Sequence, residues 1–200
     1  MAGRLDEREA ARLLDVAHGL ADAASACTLP AFRSEGLRAD SKDTQRFDPV
    51  TAADRAAERA MRNILGQSCG EDGILGEEYG PVSGRSGLTW VLDPIDGTRA
   101  FISGAPTWGT LIGLDAGEGP ILGVIDQPFL RERFTGGPGG CLYQGPEGEP
   151  KAVRTRPCGG LGEAILYSTF PEIGSEAERA GFQDVAARVK LTRYGFDCYA

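Results

Sequence analysis

The stretch Trp90-Val91-Leu92-Asp93-Pro94-Ile95-Asp96-Gly97-Thr98 constrains this chain more than any other. The apolar run from Leu88 to Leu92 reads as a buried strand. It delivers Asp93 at its end, where ligands collect in mixed α/β folds. Pro94 fixes its own φ and biases Asp93 toward extended backbone. Asp93, Asp96 and the Ile95 carbonyl can then share one small volume, the all-oxygen set that a hard cation such as Mg²⁺ takes. Gly97 has no side chain to hold a phosphate off its N–H, and Thr98 adds a hydroxyl. Pro-x-Asp-Gly is also ordinary turn chemistry, so the motif alone leaves a turn and a metal site equally open.

Bulk properties narrow the function classes. With 200 residues, 41% of them hydrophobic, the chain suits one domain, residues 1–200. A net charge of −8 and the lack of a basic run exclude nucleic acid and anionic membrane surfaces as expected partners. The N-terminal MAGRLDEREAARLL has no apolar signal core, and no apolar stretch reaches membrane-spanning length. The five cysteines, Cys27, Cys69, Cys141, Cys158 and Cys198, form no C-x-x-C pair. They are expected to be reduced, mostly buried thiols of a cytoplasmic protein. His18 is the one histidine. It is expected at a helix end or on the surface, which argues against a Ser-His-Asp triad or a His-rich metal site. Any hydrolytic chemistry then falls to carboxylates, hydroxyls and metal.

Apolar periodicity predicts a helix over residues 5–26 and a polar loop over residues 41–48. Thr51 and Asp54 form a capping-box-like pair opening a second helix, which Gly66 is expected to end. Short strands are predicted at residues 74–78, 88–93, 108–114, 121–125, 164–168 and 190–194. A flexible glycine-rich loop or hairpin tip is predicted from Thr135 to Gly140, and a helix over residues 175–189. Helices first, then mainly strands, indicate an α+β layered fold.

Acids close three of the early segments: Asp48 with Asp54, Glu77 with Glu78, and Asp93 with Asp96. A two-metal phosphoryl hydrolase needs such carboxylates around its ions and an activated water. Adjacent residues on a strand face opposite ways, so only one of Glu77 and Glu78 is expected to be a ligand.

Gly76-Glu77-Glu78, Asp93-Pro94-Ile95-Asp96-Gly97-Thr98 and Asp48-Pro49-Val50-Thr51-Ala52-Ala53-Asp54 together resemble the inositol monophosphatase family of Mg²⁺-dependent phosphatases. The resemblance runs from the first helix to the last residue. Arg99-Ala-Phe-Ile-Ser-Gly-Ala-Pro-Thr-Trp108 and Arg193-Tyr-Gly-Phe-Asp-Cys-Tyr-Ala200 are more similar to its histidinol-phosphate phosphatase branch. It implies an αβαβα sandwich with its last layers incomplete, hydrolysis of L-histidinol phosphate, and a homodimer. Glu77, Asp93 and the Ile95 carbonyl would hold the first Mg²⁺, and Asp93 and Asp96 the second, within a set of two or three ions. Gly97 and Thr98 would offer N–H groups to the phosphate. Thr98, hydrogen-bonded to Asp54, would with Glu77 help deprotonate the attacking water. Asp96 and Asp197 would face the substrate, Asp197 near its organic part.

One departure stands out. The family closes its metal site with a late Trp-Asp pair, whereas Trp90 and Trp108 are the only tryptophans here and neither precedes Asp. The chain is therefore expected to be C-terminally incomplete. The other readings are an inositol monophosphatase or broad sugar-phosphate phosphatase, and an inactive metal-binding remnant.

Overall fold

Helix α1 spans Glu7–Thr28, and its first turn is closed by Asp6, whose carboxylate accepts the Glu9 N–H at 2.7 Å. The structure, a computed structural model, describes residues 6–41, 49–172 and 174–199. Helix α2 spans Ala52–Ser68 and opens on the expected capping box of Thr51 and Asp54. Gly66 does not end it. The helix continues to Ser68, and Cys69 N–H bonds the Leu65 carbonyl at 2.8 Å. Burying Leu65 and Cys69 in the core offsets the roughly 1 kcal/mol that a helical glycine costs.

Strands β1 (Ala39–Ser41) and β2 (Pro49–Thr51) pair antiparallel ahead of α2. Ser41 thus belongs to a strand rather than to the predicted loop. The rest of that loop, with Asp48 of the acid motif, lies outside the described residues. Next come β3 (Gly73–Gly76), β4 (Gly80–Val82), β5 (Thr89–Asp96), β6 (Gly109–Asp115) and β7 (Pro120–Gln127). They are followed by β8 (Glu132–Gly137), β9 (Gly140–Gln144) and β10 (Lys151–Val153). These eight strands form one sheet in the order β10-β9-β8-β7-β6-β5-β3-β4. Every pair is antiparallel except β3 with β5. The glycine-rich segment is a hairpin tip, one of the two forms expected: Gly136 pairs with Cys141 and Gly137 with Gly140 across the β8–β9 turn. Farther on, β11 (Ile165–Ser168) and β12 (Leu191–Tyr194) pair in parallel around helix α4 (Glu176–Ala186). Four α-helices and a large mixed sheet among the described residues make the chain α+β, as expected.

Period-two alternation sorts the sheet's faces. Trp90 and Leu92 of β5, Ile112 and Leu114 of β6, and Leu122 and Val124 of β7 pack against Leu13, Leu20, Met61 and Leu65 of α1 and α2. The residues between them, such as Val91 and Asp93, point to the other face. A second cluster, Phe32, Ala53, Ile95, Phe101 and Trp108, lies beneath the short helix α3 (Thr98–Ser103). The Phe101 and Trp108 rings meet edge to face at 4.8 Å. Ala100, Phe101 and Trp108, from one of the two segments that carry the branch resemblance, are thus core residues.

Two further expectations are corrected. His18 lies mid-helix in α1, half-buried against β8, because Arg133 and Thr135 of that strand offer its ring polar contacts. The cysteines form no disulfide, but only Cys69 is buried, and Cys141 and Cys158 are exposed. Cys141 sits near the sheet edge on β9, and Cys158 in an irregular stretch after β10.

Candidate active site

Asp93 and Asp96 are three positions apart, and on a regular strand they would face opposite ways. The β5–β6 register removes the difference. Asp93 pairs with Leu111 and Asp96 with Gly109, so Pro94 and Ile95 together oppose Thr110 alone. That is a β-bulge, and it explains a proline inside an interior strand. The buried Thr110 hydroxyl donates to the Pro94 carbonyl at 2.8 Å and pins the bulge. The chain then turns at Gly97, whose φ of 85° is left-handed, into α3.

The carboxyls interact strongly. The Asp93 pKa is pushed up to about 9, first by burial, then by the charge of Glu77 and a hydrogen bond with its carboxyl. Asp96 and Asp54 add to the same repulsion. The Asp96 pKa is raised chiefly by burial, against a lowering by the Tyr199 N–H, which donates to its Oδ2 at 2.8 Å.

Glu77 does not sit on a strand. It follows β3 in a turn, where its N–H still reaches the Leu92 carbonyl at 3.2 Å. That bond sets it beside Asp93, while its side chain is exposed to solvent. Asp54, nearly fully buried, accepts the Thr51 N–H at 2.9 Å and the Thr51 hydroxyl at 2.6 Å. Thr98 differs from the expectation: its hydroxyl donates to the Ile95 carbonyl at 3.0 Å. A hydroxyl has one proton, so donation to Asp54 requires the Thr98 side chain to turn. Asp197 comes from far along the chain to lie against Gly97; a Cβ added there would stand 3.4 Å from the Asp197 Cβ.

Among the described residues no three of these acids form a closed metal-ligand group. Like-charged carboxyls hold apart, or pair through a proton as Asp93 and Glu77 do. The donor set nevertheless fits a hard cation. Asp93 Oδ1 is buried with no hydrogen-bond partner, a costly state for a carboxyl oxygen unless something coordinates it. The carboxyls that interact with it, Glu77, Asp96 and Asp54, offer the oxygen donors that Mg²⁺ takes. An open groove of about 890 Å³ runs from Asp93 along this face past Leu111, Ile125 and Phe134 to Tyr199.

Two residues next to the candidate site were missed from sequence. Thr110 looked like one more β-branched strand residue. Glu58 did carry a signal, being a carboxylate on the apolar face of α2 between Ala57 and Met61.

A family model described as the inositol monophosphatase family matches residues 9–192. The chain belongs to that family. It is 40% identical over 198 residues to the "Bifunctional phosphatase IMPL2, chloroplastic" of Arabidopsis thaliana, a match covering 98% of this chain and 55% of that protein. It is 42% identical over 125 residues to a histidinol-phosphatase of Streptomyces coelicolor, covering 60% of this chain and 46% of that one. The chain therefore spans about half the length of these family relatives. Its fold superposes on an inositol monophosphatase from Zymomonas mobilis with a TM-score of 0.77 at 40% identity, over 93% of this chain and 69% of that one.

Proposed function

We propose that this protein is a Mg²⁺-dependent phosphomonoesterase whose substrate is L-histidinol phosphate. The observation that carries the reading is Asp93, whose buried Oδ1 lacks a partner while its carboxyl is hydrogen-bonded to Glu77. The similarity to the Streptomyces histidinol-phosphatase supports the substrate.

Glu77, Asp93 and the Ile95 carbonyl would hold one Mg²⁺, and Asp93 with Asp96 a second. When bound there, Mg²⁺ lowers the pKa of a water and neutralises charge on the phosphoryl oxygens. The chain's own groups do the rest. The N–H groups of Gly97 and Thr98 open α3 and would orient the phosphate. The Thr98 hydroxyl, turned from Ile95 to Asp54, would accept the water's proton as its own passes to Asp54, and Glu77 would hold the water in place. Asp197, beside Gly97, would pair with the ammonium or imidazolium group of the substrate. The same reading makes the protein a cytoplasmic homodimer, which sedimentation would check.

A second reading, inositol monophosphatase, draws on the 40% identity to the Zymomonas mobilis enzyme. The test is phosphate release from L-histidinol phosphate and from myo-inositol 1-phosphate, each with Mg²⁺ and with EDTA. Faster release from L-histidinol phosphate, lost in EDTA, supports the first reading. Preference for the inositol ester supports the second. Mg²⁺ uptake without turnover of either leaves a non-catalytic metal-binding remnant.

A further inference from the structure

Glu58 is a carboxylate with no solvent exposure, on the core side of α2. It accepts the Glu78 N–H at 2.7 Å, the Tyr79 N–H at 3.2 Å and the Arg62 Nε at 2.8 Å. Arg62 in turn donates to the Gly80 carbonyl. One acid and one arginine on successive turns of α2 thereby hold the amides of residues 78 and 79 and the carbonyl of residue 80. That is the whole turn just past Glu77. The glycine before Glu77 is part of the arrangement, since a Cβ at Gly76 would stand 2.0 Å from Glu58 Oε1. On its other side Glu77 is tied to β5 by its N–H on Leu92.

A buried charge is costly unless paired, and an apolar side chain at this position would pack α2 at less expense. What Glu58 adds is a fixed backbone on the C-terminal side of Glu77. We propose that Glu58 is a positioning residue that sets the Glu77 carboxylate toward Asp93 for cation binding. The inference rests on the Mg²⁺ reading of Glu77 and Asp93 above. Groups that orient metal ligands commonly change metal affinity by about 10–100-fold when removed.

The test is Mg²⁺ titration by calorimetry of the 200-residue chain, as wild type, Glu58→Gln and Glu58→Ala. Melting curves in EDTA first fix a temperature at which each variant is folded. The expected result is a dissociation constant about 10-fold or more weaker in folded Glu58→Ala. Glu58→Gln, which keeps one acceptor oxygen, falls between it and wild type. Should Glu58→Ala not fold, Glu58→Gln alone must still bind more weakly than wild type. Variants that bind with the wild-type constant, differing only in melting temperature, overturn the proposal while leaving the Mg²⁺ reading intact. A wild type that takes up no Mg²⁺ overturns both.

Discussion

The Thr110 hydroxyl and the Pro94 carbonyl, 2.8 Å apart and buried, hold the bulge that turns Asp93 and Asp96 to one side. Thr110→Val keeps the shape and removes the donor. It leaves the Pro94 oxygen buried without that partner, a cost of about 1–3 kcal/mol. Urea unfolding should show that loss, and Thr110→Ser should recover most of it. Phosphate release should follow the same order. Equal midpoints for the Val and Ser variants would remove the bulge-pinning role.

Gly97 and Gly87 offer a matched pair of substitutions. Both are left-handed, with φ of 85° and 86°. An added Cβ meets nothing within 4 Å at Gly87 but stands 2.9 Å from the Thr107 carbonyl at Gly97. Gly87→Ala should cost only backbone strain, roughly 1–2 kcal/mol. Gly97→Ala should cost more and also disturb the start of α3. Chemical denaturation of both variants measures the difference directly.

The acids were legible because carboxylates after an apolar run are rare enough to notice, and three such segments are harder still to dismiss. Thr51 with Asp54 also announced its helix, through a local hydrogen-bond pattern that needs no partner elsewhere. What could not be read depends on distant residues. The bulge exists only in the register of β5 against β6. His18 becomes a half-buried group only because β8 brings Arg133 to it across 115 positions. The glycine-rich run left a flexible loop and a hairpin tip both open, and only the ladder to β9 decides for the hairpin. The resemblance implies a bond from Thr98 to Asp54, while its hydroxyl donates within its own turn to the Ile95 carbonyl.

Asp93→Asn separates stability from function. The amide is neutral in the unfolded chain as well, so folding no longer requires the proton uptake that burial and the charges of Glu77, Asp96 and Asp54 impose on the Asp93 carboxyl. The variant should melt at a higher temperature than wild type in EDTA. It should also lose Mg²⁺-dependent phosphate release and most of the stabilisation by added Mg²⁺. Differential scanning calorimetry with and without Mg²⁺ reads both effects. A variant less stable than wild type in EDTA would show that the Asp93 carboxyl holds the fold together rather than straining it.

His18 sets a pH dependence away from the candidate site. Arg133 Nη1 lies 3.2 Å from His18 Nδ1, and a guanidinium only donates, so Nδ1 accepts and the ring is neutral with its proton on Nε2. Nε2 faces the Thr135 hydroxyl at 3.5 Å. Burial, then the Arg133 charge, lowers the His18 pKa from 6.5, against weaker raising by Asp22, Asp15 and Asp126. The unfolded chain therefore binds this proton more readily than the folded one, and stability rises with pH in this window. The contribution is complete above the unfolded value of 6.5. It is lost as pH falls through that value toward the lower folded one. The Asp126 carboxyl, raised by burial despite its 2.7 Å contact with Arg133 Nε, acts with the opposite sign and over a window starting near 3.8. Asp93, raised to about 9, also acts with that opposite sign across this range in both proteins, so the expected signature is a difference: between about pH 7 and 5 acidification should be less favourable to the melting temperature of wild type than to that of His18→Gln. Identical slopes in the two proteins would assign the acid sensitivity to another group.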